Sequence, residues 1–253
     1  MVRIRIISAW TLQRSFASLF LILELIIEVF ATHENKPTMF RSIEEYGFHR
    51  NLVTEIKLPI KKKLSSAGDR CHVALHEVIP NSVYIDVYQI QQLEEFSGPQ
   101  ILPDMDIDIE KPDYKSPPHK VYVFSKLQLN NSDFWWTRIV LPIHLRYHQA
   151  GSGHSATIAI DKPHILVRCK GFESSHISTQ REAPCYANNA SLCRWNLIHY
   201  STDIESLIVT VPIGNTGDLP VVLSATIFVT VSCCLLLLWI LYKLIQRNEV
   251  KSD

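Results

Sequence analysis

The run from Val221 to Tyr242, VVLSATIFVTVSCCLLLLWILY, contains no charged residue. As a helix rising 1.5 Å per residue it reaches about 33 Å, enough to cross a hydrocarbon core about 30 Å thick. Pro220 stands at its start, where a missing amide hydrogen costs no hydrogen bond. Trp239 and Tyr242 fall where interfacial aromatics sit. Lys243, Arg247 and Lys251 follow the run and Asp218 precedes it. The positive-inside rule therefore predicts one span over 220–242, with 243–253 cytoplasmic and the bulk of the chain lumenal or extracellular.

The other end reads as a secretory signal over 1–31. Arg3, Arg5 and Arg14 make a basic start, Phe16 to Phe30 is apolar, and Val29 and Ala31 are small residues spaced for cleavage. Glu24 and Glu28 interrupt the apolar run. A carboxylate in a spanning helix costs about 2.5–3.5 kcal/mol, which favours a signal that is removed. An uncleaved anchor is the alternative. Between the two segments lie about 185 residues, ample for one domain with a real core over 32–219. Acidic and basic residues balance at 25 each, so no net field favours nucleic acid or anionic lipid. The Lys61-Lys62-Lys63 run reads as a solvated turn or strand end.

The periodicity of this domain is two. Met105, Ile107 and Ile109 alternate with acids in MDIDIE, and Val83, Ile85 and Val87 share a face in SVYIDVY. Val121, Val123, Leu127 and Leu129 form another set, as do Ile158 with Ile160, Ile165 with Val167 and Cys169, and Leu207 with Val209 and Val211. Proline-rich breaks separate these runs, and only Gln89–Phe96 looks helical. The expectation is a mostly β chain: an antiparallel β-sandwich-like domain followed by one transmembrane α-helix.

Cys71, Cys169, Cys185 and Cys193 lie in the domain, and Cys233 and Cys234 in the span. Four cysteines in an oxidising compartment suggest two disulfides, with three pairings open. The short loop CYANNASLC favours Cys185–Cys193, leaving Cys71–Cys169; one pair staying reduced is the alternative. Asn130 and Asn189 begin N-glycosylation sequons, which places both on surface loops.

The segment LPIHLRYH, Leu141–His148, tests for chemistry. On a strand Ile139, Leu141, Ile143, Leu145 and Tyr147 face the core, while His144, Arg146 and His148 face outward. Arg146 stands between the histidines, and its fixed positive charge opposes a divalent cation. Asp104-Met105-Asp106 resembles a metal-holding Asp-x-Asp pair, but Asp106 belongs to an alternating run and should face solvent. Gly151-Ser152-Gly153 reads as a turn, not a phosphate cradle. No nucleophile, base and orienting group stand together, so no catalytic residue, metal or cofactor is expected.

Several blocks resemble the PIG-X family, non-catalytic subunits of glycosylphosphatidylinositol (GPI) mannosyltransferase I. They are IPNSVYIDVYQI (Ile79–Ile90), DIDIEKPDY (Asp106–Tyr114), LPIHLRYH, CRWN (Cys193–Asn196) and VPIGN (Val211–Asn215), with CHVALHEVIP (Cys71–Pro80) a looser match. Their order up to a C-terminal span is the family's order. The resemblance implies an endoplasmic reticulum membrane protein that binds and stabilises a multi-pass catalytic subunit, PIG-M, which adds the first mannose to the GPI precursor.

A binding role needs surfaces. Thr226, Thr230 and Cys234 recur every four residues in the span, a stripe of small residues that lets helices approach closely; threonines bonding to their own backbone are the alternative. Under the family reading the outward face His144, Arg146 and His148 is a second candidate contact, against a solvated or intramolecular polar role. The competing functional class is a single-pass cell-surface adhesion or receptor ectodomain. The short tail from Lys243 leaves little room for signalling motifs, and it carries no dilysine pair.

Overall fold

The computed structural model describes residues 36–59, 71–130, 134–169 and 176–249. The expected signal over 1–31, the Lys61–Lys63 run, Asn131 and Ser132 of the first sequon, and 250–253 lie outside the described residues. Alternation becomes thirteen strands among the described residues: β1 (Thr38–Glu44), β2 (His49–Pro59), β3 (Cys71–Ile79), β4 (Val83–Tyr84), β5 (Gln100–Pro103), β6 (His119–Lys126), β7 (Gln128–Asn130), β8 (Phe134–Leu145), β9 (Ser155–Asp161), β10 (His164–Cys169), β11 (Ile177–Tyr186), β12 (Asn189–Ile198) and β13 (Ser206–Pro212). Two helices join them, α1 (Val87–Glu94) and α2 (Leu219–Glu249).

All strand pairs among the described elements are antiparallel. One sheet runs β1-β2-β8-β4, with β7 also on β8; a second runs β11-β12-β10-β3-β6-β5; β13 and β9 form a separate pair. Their inner faces share one core: Leu52, Ile56 and Leu58 from β2, Ile139, Leu141 and Ile143 from β8, Val73 and Leu75 from β3, Val121 and Val123 from β6, and Ile165 and Val167 from β10. Ile158, Ile160, Val209 and Val211 of the β9–β13 pair close the same core. This is the expected sandwich. Trp195, Ala74, Phe124 and Leu166, alternating with core residues, build a smaller cluster on the outer face of the second sheet.

Several expected strands are corrected. MDIDIE is a loop, not a strand. Asp108 accepts from the Glu110 amide at 3.0 Å, a local turn in place of a ladder, while Asp104, just before the segment, accepts from the Lys120 amide at the start of β6. In SVYIDVY the strand stops after Tyr84, because Asp86 caps α1 by accepting from the amides of Tyr88 and Gln89. The helix thus begins at Val87, earlier than expected. It ends where Gly98 donates to the Leu93 carbonyl at 2.9 Å; a Cβ at Gly98 would lie 2.7 Å from that oxygen. Leu127 is buried but Leu129 is exposed, because the chain leaves the second sheet at Leu127 and joins the first as β7. Tyr147 is exposed rather than in the core, since β8 ends at Leu145.

Both disulfides join neighbouring strands. Cys71–Cys169 pins β3 to β10, and Cys185–Cys193 closes the β11–β12 hairpin. α2 is the apolar C-terminal helix, by length and composition able to cross a membrane.

Candidate functional site

Three separated segments meet at one end of the sandwich: Ile79–Ile90, Asp106–Tyr114 and Leu141–His148. The register of β4 on β8 sets Tyr84 opposite His144, and their rings stack at 4.9 Å. His144 Nε2 lies 2.8 Å from Gln89 Oε1 on α1, and the His49 ring meets it edge-on at 4.5 Å. Arg146 lays its guanidinium over the Tyr84 ring at 4.8 Å and donates through Nη1 to the Lys111 carbonyl at 2.6 Å. Its amide donates to the Ser82 carbonyl at 2.8 Å. His148 packs beside Asp113, with Nε2 3.5 Å from Oδ2. Asp113 in turn donates its amide to the Tyr147 carbonyl, and its own carbonyl accepts from Asn81 Nδ2.

The outward face expected for His144 and Arg146 is therefore corrected: of the roles open to them, the intramolecular polar one fits. They are 8% and 5% exposed. β4, α1 and the loop after β5 cover the end of β8, so its outward side is an interior. Burial, and then His49, hold the His144 imidazole below the usual histidine range, against an opposing pull from Asp86. Burial also lowers Arg146 and raises the Tyr84 phenol. Nearby His119 is pushed down to about 4, mainly by burial and then by Arg146. Among the described residues His144 Nδ1, Arg146 Nε, His119 Nε2 and Asp113 Oδ1 are buried without a hydrogen-bond partner. The arrangement is a polar clasp that fastens one loop and one helix to β8. It sets no nucleophile beside a base, and among the described residues no group of three His, Cys, Asp or Glu side chains is placed to hold a metal.

A second polar feature escaped the sequence reading. Arg41 on β1 and Glu77 on β3 form a fully buried ion pair at 2.7 Å that bridges the two sheets, and Arg41 also donates to the Asp161 carbonyl on β9. Burial pushes the Glu77 carboxyl up more than Arg41 pulls it down. The signal was present: Glu77 is in phase with Cys71, Val73, Leu75 and Ile79, so a charge occupies a core-facing position.

The remaining candidates scatter. The sequon asparagines, expected on loops, stand at strand ends instead: Asn130 ends β7, and Asn189 opens β12 directly after a two-residue turn. In α2 the Thr226 and Thr230 hydroxyls donate to the carbonyls of Val222 and Thr226 at 2.7 and 2.8 Å, and Cys234 is a free, exposed thiol.

The PIG-X / PBN1 family model matches residues 45–242, which include every element of the clasp. The chain belongs to the PIG-X / PBN1 family. Curated relatives include a human protein and a rat protein, each 28% identical, over 208 and 204 residues. The matches cover 78% of this chain and 76% and 78% of those proteins, and a mouse relative is similar at 28%. Each is described as the stabilizing subunit of GPI alpha-1,4-mannosyltransferase I. No solved structure matches this PIG-X / PBN1 chain.

Proposed function

We propose that this chain is the non-catalytic accessory subunit of a GPI mannosyltransferase I, binding and stabilising a multi-pass, PIG-M-like catalytic subunit in the endoplasmic reticulum membrane. The family match across the strand domain and α2, with curated relatives described as stabilizing subunits, carries the reading. In this reading α2 spans the membrane once, the strand domain is lumenal, 1–31 is the signal, and Asn130 and Asn189 are glycan acceptors. The disulfides suit that oxidising compartment.

In this reading the span is one contact and the clasp is a support for others. Thr226, Thr230 and Cys234 lie on one exposed line of α2, and the threonine hydroxyls donate within their own helix. Contact along that line then draws on close packing of small residues, with the hydroxyl oxygens left to act as acceptors. His144, Arg146 and His148 serve the complex indirectly, by holding the surface loops in shape.

The test is complementation. In cells lacking their own stabilizing subunit, this chain is expected to restore a surface GPI-anchored reporter and raise the steady-state amount of the catalytic subunit. A reporter that stays absent, with the chain well expressed, rejects the reading and favours an adhesion or receptor role. Glycans remaining sensitive to endoglycosidase H would support residence in the endoplasmic reticulum.

A further inference from the structure

The clasp end of the sandwich is also the end from which α2 leaves. β13 runs down to Pro212 beside the start of β9, and Arg50, next to the β1–β2 turn, donates to the Thr210 carbonyl at 3.2 Å. The loop after β8 is tied to the base of α2: Gly151 donates to the Gly214 carbonyl at 3.0 Å, and Thr216 donates back to Gly151 at 2.9 Å. Thr216–Asp218 is a 3-10 turn that leads straight into α2. At about 2 Å of rise per residue, this loop lies within about 10 Å of the helix start.

The exposed aromatics at this end are tyrosines. Tyr46, Tyr147 and Tyr114 are 97%, 75% and 56% exposed. They sit on three different loops held together: the Phe48 and Tyr147 rings meet at 5.1 Å, and the Asp113 amide donates to the Tyr147 carbonyl. Exposed rings with polar tips suit the headgroup layer, which adds about 5–7 Å on each side of the hydrocarbon core. The chemistry also selects the lipid. Asp104, Asp106, Asp108 and Glu110 outnumber Lys111 and Lys115 in the adjoining loop, which gives an anionic surface no electrostatic pull.

We propose that the α2-proximal end of the strand domain rests on the bilayer, with Tyr46, Tyr114 and Tyr147 seated among zwitterionic headgroups. The clasp thus orders the three loops that carry the lipid-facing tyrosines. The occupant is a lipid surface because the tyrosines lie at the end of the domain from which an apolar helix leaves, so the tether itself brings that end to the interface. This rests on the reading of α2 as a membrane span.

The test uses the full chain with Cys233→Ser and Cys234→Ser, reconstituted in phosphatidylcholine bilayers and carrying a single nitroxide label. Labels go at Tyr46→Cys, Tyr147→Cys, Val229→Cys within α2, or Gln128→Cys at the opposite end of the sandwich. Collisions with a water-soluble nickel chelate at positions 46 and 147 should be about threefold fewer than at 128, with or without the catalytic subunit, and added phosphatidylserine should not strengthen the shielding. If 229 is shielded while 46 and 147 behave like 128, the proposal is overturned and the span stands. If 229 itself meets the chelate, the span reading falls and takes the proposal with it. Shielding of 46 and 147 that appears only when the catalytic subunit is added identifies a protein partner instead and overturns the lipid assignment. Tyr46, almost fully exposed, carries the test even if replacing Tyr147 loosens its loop.

Discussion

Arg146 shows how much one buried cation organises. Its guanidinium covers Tyr84, its side chain holds the Lys111 carbonyl, and its backbone holds Ser82. Arg146→Ala removes the stacking and leaves a carbonyl unpaired, and is expected to cost about 2–3 kcal/mol in chemical denaturation of the strand domain. Glu77→Gln is expected to cost more, about 3–5 kcal/mol, because Arg41 remains charged and buried without its counter-charge. The double variant Arg41→Met with Glu77→Leu should recover most of that loss, and a double-mutant cycle checks it. His119 adds a pH dependence. Its folded pKa of about 4 lies below the 6.5 of an unperturbed histidine, so between these values the unfolded chain binds a proton that the folded chain refuses. This contribution is complete above about pH 6.5 and is lost as pH falls towards about 4, with His144 acting in the same direction. Thermal melts from pH 7.5 to 4.5 should show Tm falling with acid, and His119→Leu should flatten the slope.

At the scale of elements the two disulfides differ by the chain they enclose. Cys71 and Cys169 are 98 residues apart and Cys185 and Cys193 only 8. Loop-closure entropy assigns about 4.7 kcal/mol to the first and about 2.5 kcal/mol to the second at 25 °C. Replacing Cys71 and Cys169 together by Ser should therefore lower stability about 2 kcal/mol more than replacing the other pair, as read from denaturant midpoints of the two double variants. The elements also show where alternation misleads. SVYIDVY and MDIDIE alternate as well as β13 does, yet neither continues as a strand. Asp86 caps a helix and Asp108 holds a turn. Both acids reach nearby amides along the chain, and those local hydrogen bonds outcompete a cross-strand partner.

For the whole molecule, the strand domain and α2 are separate packing units. The domain builds its own core from both sheets and the β9–β13 pair, without a contribution from α2. Exchanging α2 for an unrelated apolar span of equal length should leave the domain's Tm unchanged. Under the accessory-subunit reading it should lower the steady-state amount of the catalytic subunit, measured by immunoblot. Unchanged catalytic subunit would assign the stabilising contact to the domain instead of the small-residue line.

The sequence alone determined what local pattern encodes. The apolar run in α2 follows from twenty-two residues without a charge, the mostly β class from a period of two, and the family resemblance from ordered blocks. The core faces of β9, β10 and β13 were legible for the same reason. Tertiary structure decided what depends on cover. His144 and Arg146 sit on the side of β8 opposite its core residues, and alternation says only which side they take. Whether that side meets water depends on elements that pack there from elsewhere: β4, α1 and the loop holding Lys111 and Asp113, 30 to 60 residues earlier in the chain. Arg41 and Glu77 make the same point, because a charge in a core-facing phase is tolerable only when a distant strand delivers its partner.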